Sequence, residues 1–156
     1  MKLTFTSPVP WPMRTMAQPL PITEPAPTAG QRDLEIALVV RPLDPLVNYW
    51  GPWKRAMIDW GKPQGGTVDL VTEAEGATVD GWEVQIVDSL VKDVEGKVVE
   101  ARLTVLYFML EWCCMASLCG RPERLAAERE KGLDILLAAR PDWEGPGVAA
   151  ISQLYE

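Results

Sequence analysis

The sequence predicts an α+β fold, an antiparallel sheet of about six strands with helices packed on it. Three observations predict this class. Apolar and polar residues alternate with a period of two over 67–75, over 82–91 and from Val99 onward, as they do in strands with one buried face. Glycine-containing turns separate these segments, which is typical of antiparallel neighbours. A segment with leucines on one helical face follows at 121–143. A length of 156 residues suits one domain with one core.

The N-terminal part of the chain predicts a strand and an extended arm. KLTFT, at 2–6, alternates as a short strand does. The proline-dense segment 7–30 excludes a helix and a central strand, because proline fixes φ and lacks an amide hydrogen. Its apolar side chains favour packing on the domain. We therefore divide the chain into a strand and arm at 1–30, a single α+β domain at 31–143, and a tail at 144–156 that can dock or reach a partner.

The next segment predicts a strand and then a helix. LEIALVVR, at 34–41, is a strand of aliphatic residues closed by Pro42. The helix spans about 45–60, with Asp44 before Pro45 as its start signal and Gly61 at its end. One face of this helix is apolar: Trp53, Ala56, Met57 and Trp60.

Aromatic residues near this helix have two possible roles. Their helical spacing favours the core for Trp53, whereas Tyr49 and Trp50 lie off the apolar stripe and are better candidates for exposure. Large aromatic side chains also concentrate at binding hot spots. The candidate partner-binding residues are Tyr49, Trp50, Trp53, Leu106, Phe108 and Trp112.

The middle of the chain predicts two strands that face the core on one side. GKPQGG, at 61–66, predicts a turn. In 67–75 we expect Val68, Leu70 and Thr72 on the inner face, and in 82–91 the inner residues are Trp82, Val84 and Ile86. DVEG, at 93–96, predicts a hairpin with its glycine in the left-handed region.

The apolar run LTVLYFMLEWCCMASLCG, at 103–120, predicts two strands that meet at a bend near Glu111 and Trp112. From Val99 to Met109 the odd positions are apolar, while the even ones begin with polar residues, so the period is two. The even positions become apolar at Leu106 and Phe108, which predicts that something covers that end. A membrane helix is the rival, but it needs about twenty apolar residues without a central charge. A buried helix over 103–118 is the other alternative.

The last predicted helix occupies RPERLAAEREKGLDILLAARPDW. Pro122 suits its first position, Arg140 its last turn, and Pro141 stops it. The charged residues 128–131 face solvent. Its inner stripe is Leu125, Leu133, Leu136 and Leu137.

Composition excludes several kinds of chemistry. Without histidine there is no imidazole for a catalytic triad or a HExxH zinc site, and no phosphate-binding glycine motif or nucleophile elbow occurs. We interpret Cys113, Cys114 and Cys119 as small buried hydrophobic residues and expect no metal and no cofactor. A net charge of -7 argues against nucleic acid and anionic membranes. No secretory signal is visible, so a cytoplasmic protein is expected.

The order of elements resembles the DcrB-like and PsbP-like α/β sandwich group. The resemblance rests on the strands GWEVQIVDSLV and GKVVEARLTVLYF and on the closing helix, and it covers most of 33–143. The proline-rich arm and the tail depart from the pattern. The group includes photosystem-associated subunits, Ran-binding factors and dimeric chaperones that hold apolar helices of type VI secretion effectors. The resemblance therefore implies binding, a possible homodimer, and no catalytic residues to carry over.

The sequence supports three hypotheses about function. The first is a noncatalytic adaptor or chaperone that holds an apolar segment of a secreted protein, indicated by seven Trp and six Met residues. The second is an immunity or inhibitor protein whose acidic surface binds a basic toxin. The third is a carboxylate enzyme using Glu111, Glu100 or Asp88, which we do not favour because carboxylates on strands are usually solvated.

Overall fold

The fold contains nine strands and one long helix in the residues that the structure describes. A computed structural model describes residues 2–7, 11–15, 33–42, 54–55, 58–59, 62–109, 112–143 and 150–153. The elements are β1 (Lys2–Ser7), β2 (Met13–Thr15), β3 (Leu34–Pro42), β4 (Thr67–Ala77), β5 (Glu83–Lys92), β6 (Val98–Met109), β7 (Trp112–Gly120), α1 (Pro122–Leu137), β8 (Arg140–Asp142) and β9 (Ala150–Gln153).

Two sheets organise these elements. The larger has the strand order β2-β3-β7-β6-β5-β4 and is antiparallel except for the β2–β3 pair. The smaller has the order β8-β1-β9, in which β1 pairs antiparallel with β8 and parallel with β9. The predicted α+β class with an antiparallel sheet of about six strands is confirmed. The second sheet was not predicted, because its strands come from the two ends of the chain.

The apolar run at 103–120 belongs to β6 and β7, so the prediction of two strands is confirmed. These strands pair antiparallel, with Leu103 opposite Leu118 and Met109 opposite Trp112. Neither the membrane helix nor the buried helix forms there. In the described part of the chain, no helix is both long and apolar enough to cross a bilayer.

One face of the larger sheet packs against α1 and the small sheet. Leu103, Val105 and Tyr107 of β6 lie in this core with residues of β3, β5, β7 and α1. Leu3 and Phe5 of β1 are fully buried in the same core. The division of the chain at residue 30 stays a prediction, but β1 contributes directly to the domain core.

The other face of the larger sheet is also buried along much of β6. Glu100, Arg102 and Thr104 on β6 are as inaccessible as their apolar neighbours. The alternation in the sequence correctly placed these three residues on the polar face of β6. Their side chains are nevertheless buried and do not contact solvent. Ile58 packs on this face with Val68, Val87 and Val91.

The predicted helix over 45–60 is described at four residues. Residues 54, 55, 58 and 59 are helical, and Arg55 and Asp59 form an ion pair one turn apart at 2.8 Å. Ile58 is buried although it was not assigned to the inner stripe. The four residues of the predicted stripe, Trp53, Ala56, Met57 and Trp60, lie outside the described residues.

The expected inner face of β4 is wrong beyond Val68. Leu70 pairs with Ser89 but Thr72 pairs with Asp88, so Val71 is the extra residue of a β-bulge. A bulge moves every later residue to the opposite face of the strand. Leu70 is 41% exposed, and Thr72 lies on the face where α1 packs.

The helix α1 is shorter than predicted, and the residues that it buries differ in part from the predicted inner stripe. It ends at Leu137, before Pro141, and Arg140 belongs to β8 and not to the last turn of the helix. Its buried residues are Leu125, Gly132, Ile135 and Leu136, whereas Leu133 and Leu137 are only partly buried. Glycine at 132 lets the helix approach Leu118 closely.

Candidate functional site: a groove between the helix and the sheet

The residues predicted to bind a partner are in different environments. Leu106 is fully buried and offers no surface, whereas Phe108 is 36% exposed. Trp112 is partly buried against the core. Tyr49, Trp50 and Trp53 lie outside the described residues, so their role stays a prediction.

The carboxylates considered for catalysis are held by arginines where they are described. Glu100 accepts a hydrogen bond from Nε of Arg102 at 2.7 Å, and both side chains are buried. Nη1 of Arg102 also donates to the backbone carbonyl of Ile58 at 3.1 Å. This arrangement joins β6 to the helical residues near Ile58, which is a structural role. Glu111 lies outside the described residues.

Asp88 has a different setting, at the mouth of a groove. Its two carboxylate oxygens accept hydrogen bonds from Nε and Nη2 of Arg129 at 2.8 and 2.7 Å. The hydroxyl of Thr72 donates to the same carboxylate at 2.6 Å. Hydrogen bonding by Arg129 is the main cause that lowers the pKa of Asp88 below its ordinary value, against an opposing effect of burial. A carboxylate held ionised in this way is a poor general acid or base near neutral pH.

The groove lies between the first half of α1 and strands β4 to β6, with a volume of about 430 Å³. Its residues are Val71, Thr72, Asp88, Ser89, Leu90, Ala101, Arg102, Pro122, Leu125, Ala126 and Arg129. Six of these eleven residues are apolar, and the surface that the lining exposes is mostly apolar. The volume falls within the range of ligand-binding clefts.

Sequence reasoning missed this groove because it depends on the bulge at Val71. The bulge brings Thr72 onto the face of Asp88 and leaves Val71 58% exposed. The alternation of 67–75 contains no glycine or proline at the bulge that could have marked it. The sequence of α1 held only a weak sign of the groove. Ala126 and Ala127 are apolar residues among the charged residues of the exposed face of this helix.

The thiols and acidic groups show no metal site among the described residues. Cys114 and Cys119 are buried, as expected for small hydrophobic residues. Within the described ranges, no group of three or more His, Cys, Asp or Glu side chains is placed to hold a metal ion.

Comparison with known proteins shows a likeness in structure. No protein-family model matches the sequence, and no curated protein matches it significantly. The solution structure of cyanobacterial PsbP (CyanoP) from Synechocystis sp. PCC 6803 matches with a TM-score of 0.52 and 11% identity, covering 72% of this chain and 69% of that one. A protein of unknown function from Pseudomonas aeruginosa (PA94) matches with a TM-score of 0.47 and 12% identity, covering 72% and 86%. The match to CyanoP shows that this chain has a PsbP-like fold.

Proposed function

We propose that this protein is a noncatalytic binding module that holds an apolar segment of a protein partner in the groove between α1 and β5. The observation that carries the proposal is the lining of the groove, where apolar side chains of a helix and of a sheet face the same open space. An amphipathic helix or an extended peptide can place successive apolar side chains in such a groove.

The polar residues of the groove support an apolar occupant. Asp88 and Arg129 neutralise each other through two hydrogen bonds, so neither requires a charged ligand. The remaining contacts available to a ligand come mainly from Val71, Leu90 and Ala126. Burial of apolar surface on these residues would supply most of the binding free energy.

The partner's origin is a further part of the proposal. The resemblance to DcrB-like and PsbP-like proteins implies binding and supports an adaptor or chaperone for a secreted protein, acting as a monomer or a homodimer. The described carboxylates support a noncatalytic role, because Glu100 and Asp88 are each bonded to an arginine.

Two adjacent alanines provide a matched test of the groove. Ala126 lines the groove and Ala127 does not, and both are exposed on α1. The probe is a neutral, labelled amphipathic helical peptide, and its binding is measured by fluorescence anisotropy. Ala126→Trp fills the groove and is expected to weaken binding about tenfold or more, while Ala127→Trp changes it less than about twofold.

Two controls address the folding of the variants and the composition of the peptide. Circular dichroism establishes that both variants keep the fold, and a scrambled peptide of the same composition tests whether the amphipathic pattern matters. Equal binding by the two variants, or equal binding of the scrambled peptide, would show that the groove is not the site.

The inhibitor of a basic toxin is the second candidate, supported by the net charge of -7. It predicts association that weakens steeply as salt is added, because exposed charges are screened. Binding in the apolar groove predicts little salt dependence. Measurement of partner binding at low and high salt therefore separates the two functions.

A further inference from the structure

Strand β4 forms one edge of the larger sheet, because β5 is its only neighbour among the strands that the structure describes. An edge strand carries backbone N–H and C=O groups that its own sheet does not pair. Proteins usually protect such an edge, since it can otherwise pair with a strand of another chain. The two halves of β4 differ in this protection.

The first half of β4, up to the bulge at Val71, is protected. Val68 is buried, and Nη2 of Arg55 donates a hydrogen bond to its backbone carbonyl at 3.0 Å. The bulge then interrupts the regular spacing of the backbone groups, which hinders pairing with a further strand. This half therefore offers no continuous edge.

The second half of β4, residues 72–77, is regular and open. All its residues are exposed, and they pair with β5 in unbroken register from Thr72 to Ala77. At a rise of about 3.4 Å per residue the segment extends for about 20 Å, which is an ordinary strand length. It is therefore long enough to pair with a further strand.

A hydrogen bond just beyond β4 shows which backbone groups of this segment face β5. The N–H of Thr78 donates to the backbone carbonyl of Trp82 at 2.8 Å, so the backbone groups of Thr78 point towards the β5 side. This direction alternates along an antiparallel strand. The backbone groups of Gly76 and Ala74 therefore also face β5.

The N–H and C=O groups of the intervening residues, Glu73, Glu75 and Ala77, consequently face away from β5. Within the described part of the chain, no backbone hydrogen bond to these outward groups is formed. An added antiparallel strand exchanges both groups at each of these positions, which amounts to about six hydrogen bonds. The edge thus presents a set of donors and acceptors spaced for a strand.

The side chains on this edge indicate the charge of the strand that fits it. Glu73 and Glu75 project to the same face, because they are two residues apart. Glu73 forms an ion pair with Lys54 at 2.9 Å, whereas Glu75 is exposed and forms none with any described residue. A basic residue opposite Glu75 on an added strand gains a cross-strand ion pair.

A second copy of this chain fits the same edge poorly. Its outward-facing residues would have to pair with those of the first copy. In the antiparallel register with the greatest overlap, Glu75 lies opposite its own counterpart. Like charges directly opposite each other destabilise a pair of strands. The edge therefore favours a different chain.

We propose that residues 72–77 bind an extended, basic segment of a protein partner as an additional strand of the larger sheet. Main-chain hydrogen bonds to Glu73, Glu75 and Ala77 supply the pairing. A lysine or arginine opposite Glu75 supplies the preference for a basic sequence. This binding uses the backbone of β4, and it does not require the groove beside α1 to be occupied.

Amide hydrogen exchange followed by nuclear magnetic resonance tests the proposal residue by residue. The probe is a short acetylated and amidated peptide in which valine alternates with lysine. In the free protein, the amides of Glu73, Glu75 and Ala77 are expected to exchange faster than those of Ala74 and Gly76. Saturation with the peptide should slow exchange at the first three about tenfold or more, and at the other two less than about twofold. Protection that alternates along β4 is the signature of strand addition.

A modified peptide and two variants separate main-chain pairing from charge. The same peptide with methylated backbone nitrogens keeps its charges but lacks the donors that pairing needs, so it should protect none of these amides. Glu75→Gln should weaken binding of the unmodified peptide about threefold. Asp69→Asn removes a charge from the protected half of β4 and should change binding less than about 1.5-fold.

Three outcomes would overturn parts of this proposal. Protection by the methylated peptide, or none by the unmodified one, would exclude strand addition. Equal effects of Glu75→Gln and Asp69→Asn would reduce the basic preference to net charge. Protection of the outward amides in the free protein that disappears on dilution would assign the edge to a second copy.

The variant Ala126→Trp distinguishes this edge from the groove. It fills the groove and should leave the alternating protection of β4 unchanged, so the edge can bind even if the groove does not. Loss of that protection in Ala126→Trp would show that the basic peptide occupies the groove, and would contradict a separate site on β4.

Discussion

Tyr107 ties the sheet to the end of the helix with a single buried hydroxyl group. The hydroxyl donates to the backbone carbonyl of Leu136 at 2.8 Å, and the ring meets Phe5 edge to face with centroids 6.2 Å apart. Tyr107→Phe removes this hydrogen bond and leaves the carbonyl with only the longer one from the backbone N–H of Ala139, at 3.3 Å. The substitution should lower the free energy of unfolding by about 1 to 2 kcal/mol. Urea denaturation at pH 7 measures the change, and no loss would show that water replaces the hydroxyl.

Tyr107 also predicts behaviour in alkali. Burial raises the pKa of Tyr107 well above its ordinary value of 10.0. The unfolded chain therefore loses this proton first, and the stability that depends on the neutral phenol falls as the pH rises above about 10. Part of that fall should be absent in Tyr107→Phe when the two proteins are unfolded by urea between pH 8 and 11. If the free energy of unfolding of the two proteins fell equally with pH, Tyr107 would not be the group responsible.

The buried pair of Glu100 and Arg102 predicts a strong effect of removing one partner. Arg102→Met leaves a carboxylate inside the sheet without its nearest cation and should cost about 3 kcal/mol or more. The double variant with Glu100→Leu should recover much of that loss, because neither charge of this pair then remains buried. A double variant as unstable as Arg102→Met would mean that the arginine acts mainly through Ile58.

Asp88 predicts a dependence of stability on acid. Its pKa is lower in the folded protein than its ordinary value of 3.8, so the contribution is present above about pH 4 and is lost as the pH falls through the folded value. Asp88→Asn should therefore flatten the acid limb of the stability curve between pH 2 and 5. In the background Arg129→Gln, the same substitution should have a much smaller effect. Equal effects in both backgrounds would show that Arg129 is not the cause.

At the scale of elements, hydrophobic periodicity predicted the features that depend only on residues close together in the sequence. The odd positions of β6 and the turn at Gly96, whose φ is 81°, follow directly from residue pattern. The bulge in β4 was missed because an inserted valine looks like any other strand residue. The buried polar face of β6 was missed because its cover comes from a distant segment, which includes Ile58.

Close contact between β3 and β7 predicts sensitivity at one glycine. A Cβ atom on Gly120 would overlap the backbone carbonyl oxygen of Asp33, which a side-chain rotation cannot relieve. Gly120→Ala should lower the free energy of unfolding by about 2 kcal/mol. Chemical denaturation tests this, with Ala116→Gly at the same strand as a comparison. An unchanged midpoint for Gly120→Ala would show that the strand end moves freely.

At the scale of the whole molecule, the two chain ends complete the fold. Phe5 pairs with Ile151 in the small sheet, so its strands are distant in sequence, and pairings of that kind leave little local signal. The candidate site shows the same limit. Of the residues predicted to bind a partner, the described ones (Leu106, Phe108 and Trp112) do not line the groove. The groove combines β4, β5, β6 and α1, so it could not be assembled from any one segment.

The central claim is that a partner's apolar segment occupies the groove beside α1, and hydrogen–deuterium exchange tests it most directly. With the neutral amphipathic peptide bound, we expect slower amide exchange at 123–129 and 88–90. This protection should be lost in Ala126→Trp but not in Ala127→Trp. Protection confined to β3 and the small sheet, or protection unchanged by Ala126→Trp, would contradict the claim.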